Sequence, residues 1–210
     1  MEIVLLRHGE SQANTGEITP HLTGDFDIPL SLNGHEESRK VGEYLGAPFF
    51  RNATVYCSPY RRTRDTLQEL LDGARVKVNN VKIYEDPRLR EVERGYYDEA
   101  KQHPLRLIHG WFYYRHRGGE SPADCYDRVS TFLESMMRHV KRNKPERILI
   151  VTHGMVIRCF VMRFLHLTIE QFEAMANPKN CDLVKISRVK IQKDCQVSYG
   201  NWAVEGLNLR

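Results

Sequence analysis

The chain carries one short pattern twice, far apart, and that repetition limits its fold more than any other feature. Ile3, Val4, Leu5 and Leu6 form an uninterrupted, partly β-branched run, and Arg7-His8-Gly9-Glu10-Ser11 follows at once. Arg147-Ile148-Leu149-Ile150-Val151-Thr152 repeats the run and delivers His153-Gly154 at its end. Runs of this kind are what strands covered on both faces look like. In an open α/β sheet, ligands bind in the crevice beyond the carboxyl ends of such strands. A lone histidine is more often structural than catalytic. Two of them, each just past a central strand and each followed by glycine, point to one shared site, with Gly9 freeing the backbone to turn.

The other segments fit the same plan. Ser31 caps a helix over Leu32 to Leu45, with Gly46 as its stop. A polar stretch through Thr23-Gly24-Asp25 to Pro29 reads as a long loop. Thr54-Val55-Tyr56-Cys57 is a strand, after which Ser58 is expected to cap a helix that opens on Pro59 and ends at Gly73. Val81 to Tyr84 is a further strand. Ser121-Pro122-Ala123-Asp124 is a capping box, followed by a one-sided apolar stripe at 125, 129, 132, 133, 136 and 140. A helix over Met155 to Leu165 and a short one capped at Thr168 to Gln171 come next, stopped at Asn177-Pro178. Late strands are expected at 183–186 and 195–199. Alternating strands and helices predict a three-layer α/β sandwich, with a mostly parallel central sheet and helices on both faces. The expectation is a single domain over 1–210. Residues 96–120, with Tyr96, Tyr97, Trp111, Phe112, Tyr113, Tyr114, Arg115 and Arg117, read equally as core packing or as a lid.

Composition removes several classes of function. The 41% hydrophobic and 28% charged fractions are those of a globular protein. No apolar stretch approaches the roughly 18 residues of a membrane span. The first strand begins at residue 3, so no leader is expected. Five cysteines (57, 125, 159, 181 and 195) are scattered without paired spacing, which fits reduced thiols in the cytoplasm. A net charge of +4 suits an anionic small-molecule substrate and is too dispersed for nucleic acid. His103, His109 and His116 lack metal-ligand spacing, so no metal is assigned. Oligomeric state is not legible.

Arg61, Arg62 and Arg64 fall in the first turns of a helix, beside the positive end of its dipole. Cations there cost about 0.3–1 kcal/mol each unless an anion lies among them. Asp25-Phe26-Asp27 matches an aspartyl-phosphatase D-x-D, but no strand precedes it. The C-x5-R of cysteine phosphatases fails as well, since counting on from Cys57 reaches Thr63.

Six segments in register carry a resemblance. They are Arg7-His8-Gly9-Glu10-Ser11-x-x-Asn14, Thr23-Gly24-Asp25-x-Asp27-x-Pro29-Leu30-x-x-x-Gly34, and Ser58-x-x-x-Arg62-x-x-x-Thr66. Leu89-x-Glu91-x-x-x-Gly95, Gly119-Glu120-Ser121-x-x-Asp124-x-x-x-Arg128 and Thr152-His153-Gly154 complete the set. Together they resemble the histidine phosphatase superfamily, the phosphoglycerate-mutase-like proteins, and within it a small eukaryotic group. The resemblance implies His8 as nucleophile, with Arg7, Arg62 and His153 around the phosphoryl group. It also implies Asn14 and Thr23 as phosphate-binding residues, Glu91 as the acid, and no metal or cofactor. Among several arginines the Glu91 pKa is expected to be depressed while the site is empty, and Arg7 and Arg62 to lower that of His8. The expected activity is a metal-independent phosphomonoesterase working through a phosphohistidine. The interval from Gly95 to Gly119 is shorter than in family mutases, which favours phosphatase over a cofactor-dependent phosphoglycerate mutase. A non-catalytic phosphate-binding module is the other alternative.

Overall fold

Alternate residues of the first strand enter two separate cores. In the computed structural model, which describes residues 1–96, 98–188 and 197–208, β1 spans Glu2–Arg7. Ile3 and Leu5 face one side of the sheet, Val4 and Leu6 the other, and all four are fully buried. A strand is apolar at every position only when both faces are covered, as the uninterrupted run predicts.

β2 (Ala53–Cys57), β3 (Lys82–Glu85) and β4 (Arg147–Thr152) join β1 by parallel pairings. β5 (Leu183–Arg188), β6 (Val197–Tyr199) and β7 (Trp202–Glu205) extend the sheet by antiparallel ones. The order is β3-β2-β4-β1-β5-β7-β6. Because β7 opposes β5 and β5 opposes β1, only β5 and β6 run against the rest. The sheet is therefore mostly parallel, and β7, which lies between β5 and β6, has no counterpart among the strands expected from the sequence.

The helices divide between the faces. α1 (Pro20–Thr23) precedes α2 (Leu32–Phe50) and α3 (Arg61–Gly73), and the last two pack on Val4, Leu6, Val55 and Val151. α4 (Glu99–His109) precedes α5 (Pro122–Asn143) and α6 (Gly154–Leu165), and α5 and α6 cover Ile3, Leu5, Ile148 and Ile150. α7 (Ile169–Ala174) adds Phe172 to that core. Among the described residues, no helix is long and apolar enough to cross a membrane.

The α5 stripe is buried at 125, 129, 132, 133 and 136 and partly buried at 140, and both halves of the Ser121–Asp124 capping box are formed. Gly46, with φ of 67° and ψ of 167°, leaves the helical conformation where the stop was expected, and a second helical stretch follows within the α2 range and buries Phe49 and Phe50. Two boundaries differ from expectation. α3 begins at Arg61 behind Tyr60, with no side-chain cap, and the Ser58 hydroxyl meets His153 and the Tyr60 amide one residue earlier. The expected loop before Pro29 contains α1 and a 3-10 turn at Asp25–Asp27. Tyr97 and Cys195 lie outside the described residues.

Residues 96–120 have two kinds of surroundings. Trp111 stacks on Phe172 at 5.8 Å and Phe112 meets it edge-on at 5.2 Å, with Phe112 and Tyr114 buried. Leu107, Ile108 and Tyr113 are exposed.

Candidate active site

β1 and β4 are neighbours with Arg7 opposite Thr152, so the residues after them emerge side by side. The His8 and His153 rings meet edge to face, with centroids 5.1 Å apart. α3 and α6 start at the same end of the sheet, and their positive N-termini bring Arg62 and the turn after His153 toward it.

Gly9 is needed for proximity rather than for its backbone angle, since its φ is not positive. A Cβ there would lie 2.6 Å from the Gly34 carbonyl oxygen and from Ser38 Oγ. A Cβ on Gly34 would in turn lie 2.0 Å from the Glu10 carbonyl oxygen. Two missing side chains thus let the first turn of α2 press against the turn after β1. Ser31 caps α2 and donates to Glu10 Oε1 at 2.7 Å. The Gly9 amide donates to Thr66 Oγ1 at 2.9 Å, and Thr66 donates to the Arg62 carbonyl at 2.7 Å, tying α3 to the same turn.

Hydrogen bonding settles the state of the first imidazole. His8 Nδ1 lies 2.7 Å from the Gly9 carbonyl oxygen, which can only accept, so Nδ1 carries the proton. Nε2 is then the nitrogen with a free lone pair. Burial pushes the His8 pKa well below the ordinary imidazole value, and Arg62 adds to the effect. His153 is lowered for the same reasons. Burial outranks the arginines that the sequence reading had held responsible.

His153 Nε2 pairs with Ser58 Oγ at 2.9 Å, whereas its Nδ1 is buried without a partner. Arg7 donates from Nη1 to the Pro178 carbonyl at 2.8 Å, and its Nε is likewise buried and unpaired. Unpaired buried groups cost about 1–3 kcal/mol each, and an anion among them would remove that cost.

Glu91 accepts from the Val92 amide at 2.9 Å and lies within electrostatic range of Arg62 and Arg7. Its pKa is raised, chiefly by burial, which overturns the expectation of a depressed value in the empty site. Desolvation of the carboxylate outweighs the arginines. The Glu91 segment is fastened from below: Thr152 Oγ1 donates to the Leu89 carbonyl at 2.8 Å, and Arg128 donates to the Arg88 carbonyl at 2.6 Å. Glu120 binds both Arg90 and Arg128.

Asn14 Oδ1 accepts from Ser11 and from Asn180, which leaves its amide nitrogen as a donor. Thr23 is not brought to the cluster. It is exposed, and its hydroxyl donates to the Thr19 carbonyl. The same loop presents Asp25 to Arg62 instead.

A family model for the histidine phosphatase superfamily, branch 1, matches residues 3–199. The chain belongs to that superfamily. Among curated members, a phosphoglycerate mutase-like protein of Arabidopsis thaliana is 36% identical over 204 residues, covering 86% of this chain and 71% of its own length. A probable phosphoglycerate mutase of Serratia proteamaculans is 30% identical over 214 residues, covering 98% and 91%. The broad-range acid phosphatase of Saccharomyces cerevisiae is 26% identical over 275 residues, covering 85% and 82%. The solved structure of a mycobacterial glucosyl-3-phosphoglycerate phosphatase superposes with a TM-score of 0.75 at 22% identity, covering 100% and 99%, which speaks to the fold.

Two residues of this superfamily member escaped the sequence reading. Asn180 donates from Nδ2 to the His8 carbonyl at 3.0 Å, and Asp25 pairs with Arg62. Asn180 follows Pro178 in a segment read only as a helix stop. Asp25 stands in the D-x-D and in the Thr23-to-Gly34 segment of the resemblance, neither of which assigns it a partner.

Proposed function

We propose that the protein is a metal-independent phosphomonoesterase that works through a phosphohistidine on a small phosphorylated substrate. His8 Nε2 attacks phosphorus in line, forming an N–P bond as the ester P–O bond breaks. Glu91 gives its proton to the departing alkoxide. Water then attacks the phosphohistidine, Glu91 takes the water's proton, and the N–P bond breaks to release inorganic phosphate. Arg7, Arg62, His153 and Asn14 hold the phosphoryl oxygens. We assign Thr23 no part in this.

The observation that carries the reading is an imidazole whose Nδ1–H is fixed on the Gly9 carbonyl, so that Nε2 bears the lone pair in the neutral form, beside two buried nitrogens that lack partners, Arg7 Nε and His153 Nδ1. A tetrahedral dianion accepts from Arg7 Nε, and from His153 Nδ1 in the tautomer in which Ser58 donates to Nε2, and offers its phosphorus to His8 Nε2. The raised pKa of Glu91 supports its role as the acid, because a carboxylic acid must hold its proton until the leaving group departs. Free thiols at Cys57, Cys125, Cys159 and Cys181 support a cytoplasmic setting.

A second reading, phosphoglycerate mutase, is favoured by the probable mutase among the relatives. The interval from Gly95 to Gly119 argues against it, since α4 and one return segment are little with which to retain a bisphosphate. The deciding experiment measures phosphate release from sugar phosphates, nucleotides, phosphoglycerates, inositol phosphates and phosphopeptides. Interconversion of 3- and 2-phosphoglycerate, primed by 2,3-bisphosphoglycerate, is measured beside it. Phosphate release that survives EDTA and is lost in His8→Ala supports the phosphatase. Primed interconversion with little hydrolysis supports the mutase.

A further inference from the structure

The Arg62 guanidinium is gripped along one edge by a residue that takes no part in the chemistry above. Nη1 donates to the Asp25 carbonyl oxygen at 2.7 Å and to Asp25 Oδ1 at 2.9 Å, and Nη2 donates to Asp25 Oδ2 at 3.1 Å. These bonds use three of the five guanidinium N–H groups. Left over are Nε–H and the second Nη2 hydrogen, which form the side edge of the fork. That edge matches two oxygens of a phosphate. The Tyr60 ring lies 4.9 Å from Arg62 Cζ and restrains the plane of the group.

The supporting turn touches its neighbours through Phe26, which is itself half exposed. Phe26 meets Tyr60 edge-on at 5.7 Å, and the Arg64 guanidinium lies 5.4 Å from the Phe26 ring. Tyr60 in turn meets His153 at 5.3 Å, so the turn and the second imidazole share one aromatic contact. Arg62 is 4% exposed, and a buried cation needs a counter-charge when no substrate is bound. Asp25, whose carboxylate bonds both Nη1 and Nη2, supplies that charge.

We propose that Asp25 is a positioning residue: from its 3-10 turn it clamps the Nη1–Nη2 end of Arg62 and so presents the Nε–Nη2 edge to the phosphoryl group. A carboxylate that merely occupied the phosphate's place would release Arg62 on binding. Asp25 holds it through its main-chain carbonyl as well, and that oxygen cannot leave without moving the turn and its Phe26–Tyr60 contact. The Asp25 charge also acts on Glu91 in the direction that keeps it protonated.

The clamp rests on the proposed phosphate site but not on turnover, so its test is binding. Calorimetry with inorganic phosphate is run on the full chain as wild type, Asp25→Asn, Asp25→Ala, Arg62→Ala and the Asp25→Ala/Arg62→Ala double variant. Thermal unfolding confirms that each is folded. Asp25→Ala is expected to weaken phosphate binding about tenfold or more, and Asp25→Asn less, because it keeps an acceptor oxygen. In the Arg62→Ala background, removing Asp25 is expected to cost nothing further. Equal or tighter phosphate binding by Asp25→Ala overturns the clamp, as does an equal loss with and without Arg62. A wild type that binds no phosphate overturns it too. Failure of the phosphatase reading shows separately, as absence of phosphate release by a wild type that binds the anion.

Discussion

The His8 and His153 rings, one past the end of β1 and the other past the end of β4, touch edge to face at 5.1 Å. Two imidazoles this close, buried beside Arg62 and Arg7, repel each other if both are charged. The strand register that brings them together also buries them, and burial, with Arg62 second, is what pushes both below the ordinary imidazole value. A nucleophile must be neutral to attack, so the fold prepares His8 through its position.

The pH dependence of catalysis follows. His8 is held below the ordinary imidazole value of about 6.5, and Glu91 is held above the ordinary carboxylate range. As pH falls through 6.5, kcat/KM for a phosphate ester is expected to stay level, because His8 is already neutral. As pH rises through the raised Glu91 pKa, kcat/KM declines. Glu91→Gln loses this alkaline limb, together with about 10²–10⁴ in rate. An acid-side fall with an apparent pKa near 6.5 contradicts this account.

Stability moves the other way on acidification. The unfolded chain protonates His8 and His153 near pH 6.5, while the folded chain resists doing so until lower pH. Over that window the unfolded state binds more protons, so stability is present above about 6.5 and is lost as pH falls toward the depressed folded values. Melting temperature recorded from pH 8 to pH 5 is expected to fall more steeply for wild type than for His153→Asn. Parallel curves would show that the second imidazole carries no such linkage.

Ser58 offers a test of the second imidazole's orientation. Its hydroxyl holds His153 Nε2 at 2.9 Å, and both residues are fully buried. Ser58→Ala strands that nitrogen at a cost of about 1–3 kcal/mol. The expected result is a kcat lower by roughly tenfold or more, while Ser58→Thr, which keeps the hydroxyl, retains more activity. Alanine and threonine variants with wild-type kcat would remove Ser58 from the site.

Gly34 governs the seat of the nucleophile from a distance. Gly34→Ala drives a methyl group to 2.0 Å from the Glu10 main-chain oxygen, so α2 or the turn after β1 must move. Overpacking of this kind costs about 1–3 kcal/mol. The expected outcome is a lowered melting temperature with a larger loss in kcat than in KM. Unchanged kinetics in a destabilised variant would uncouple α2 from His8.

Much of this was legible in the chain. Four apolar residues in a row at 3–6 and again at 148–151 announced strands covered on both faces, and strand ends in a parallel sheet converge wherever they lie in sequence. The Ser121 capping box and the α5 stripe were readable because both are local. What escaped were choices between partners. Ser58 is a good cap by type, but its hydroxyl meets His153 and the Tyr60 amide, and α3 starts later, at Arg61. Gly46 reads as a stop and does break the helix, but the helical stretch beyond it that buries Phe49 and Phe50 has no local signal. Charge counting implied a depressed Glu91, but the depth of burial, invisible in a list of arginines, decides the sign. Thr23 and Asp25 are two residues apart, and only the turn between them determines which reaches Arg62.

Trapping the intermediate tests the central claim most directly. The protein is mixed with excess p-nitrophenyl phosphate, quenched in alkali, digested and read by mass spectrometry. The account predicts one acid-labile phosphoryl group on His8 at Nε2, absent from His8→Ala and accumulating when Glu91→Gln slows its hydrolysis. Phosphate release with no adduct at His8, or an adduct on another residue, would contradict it.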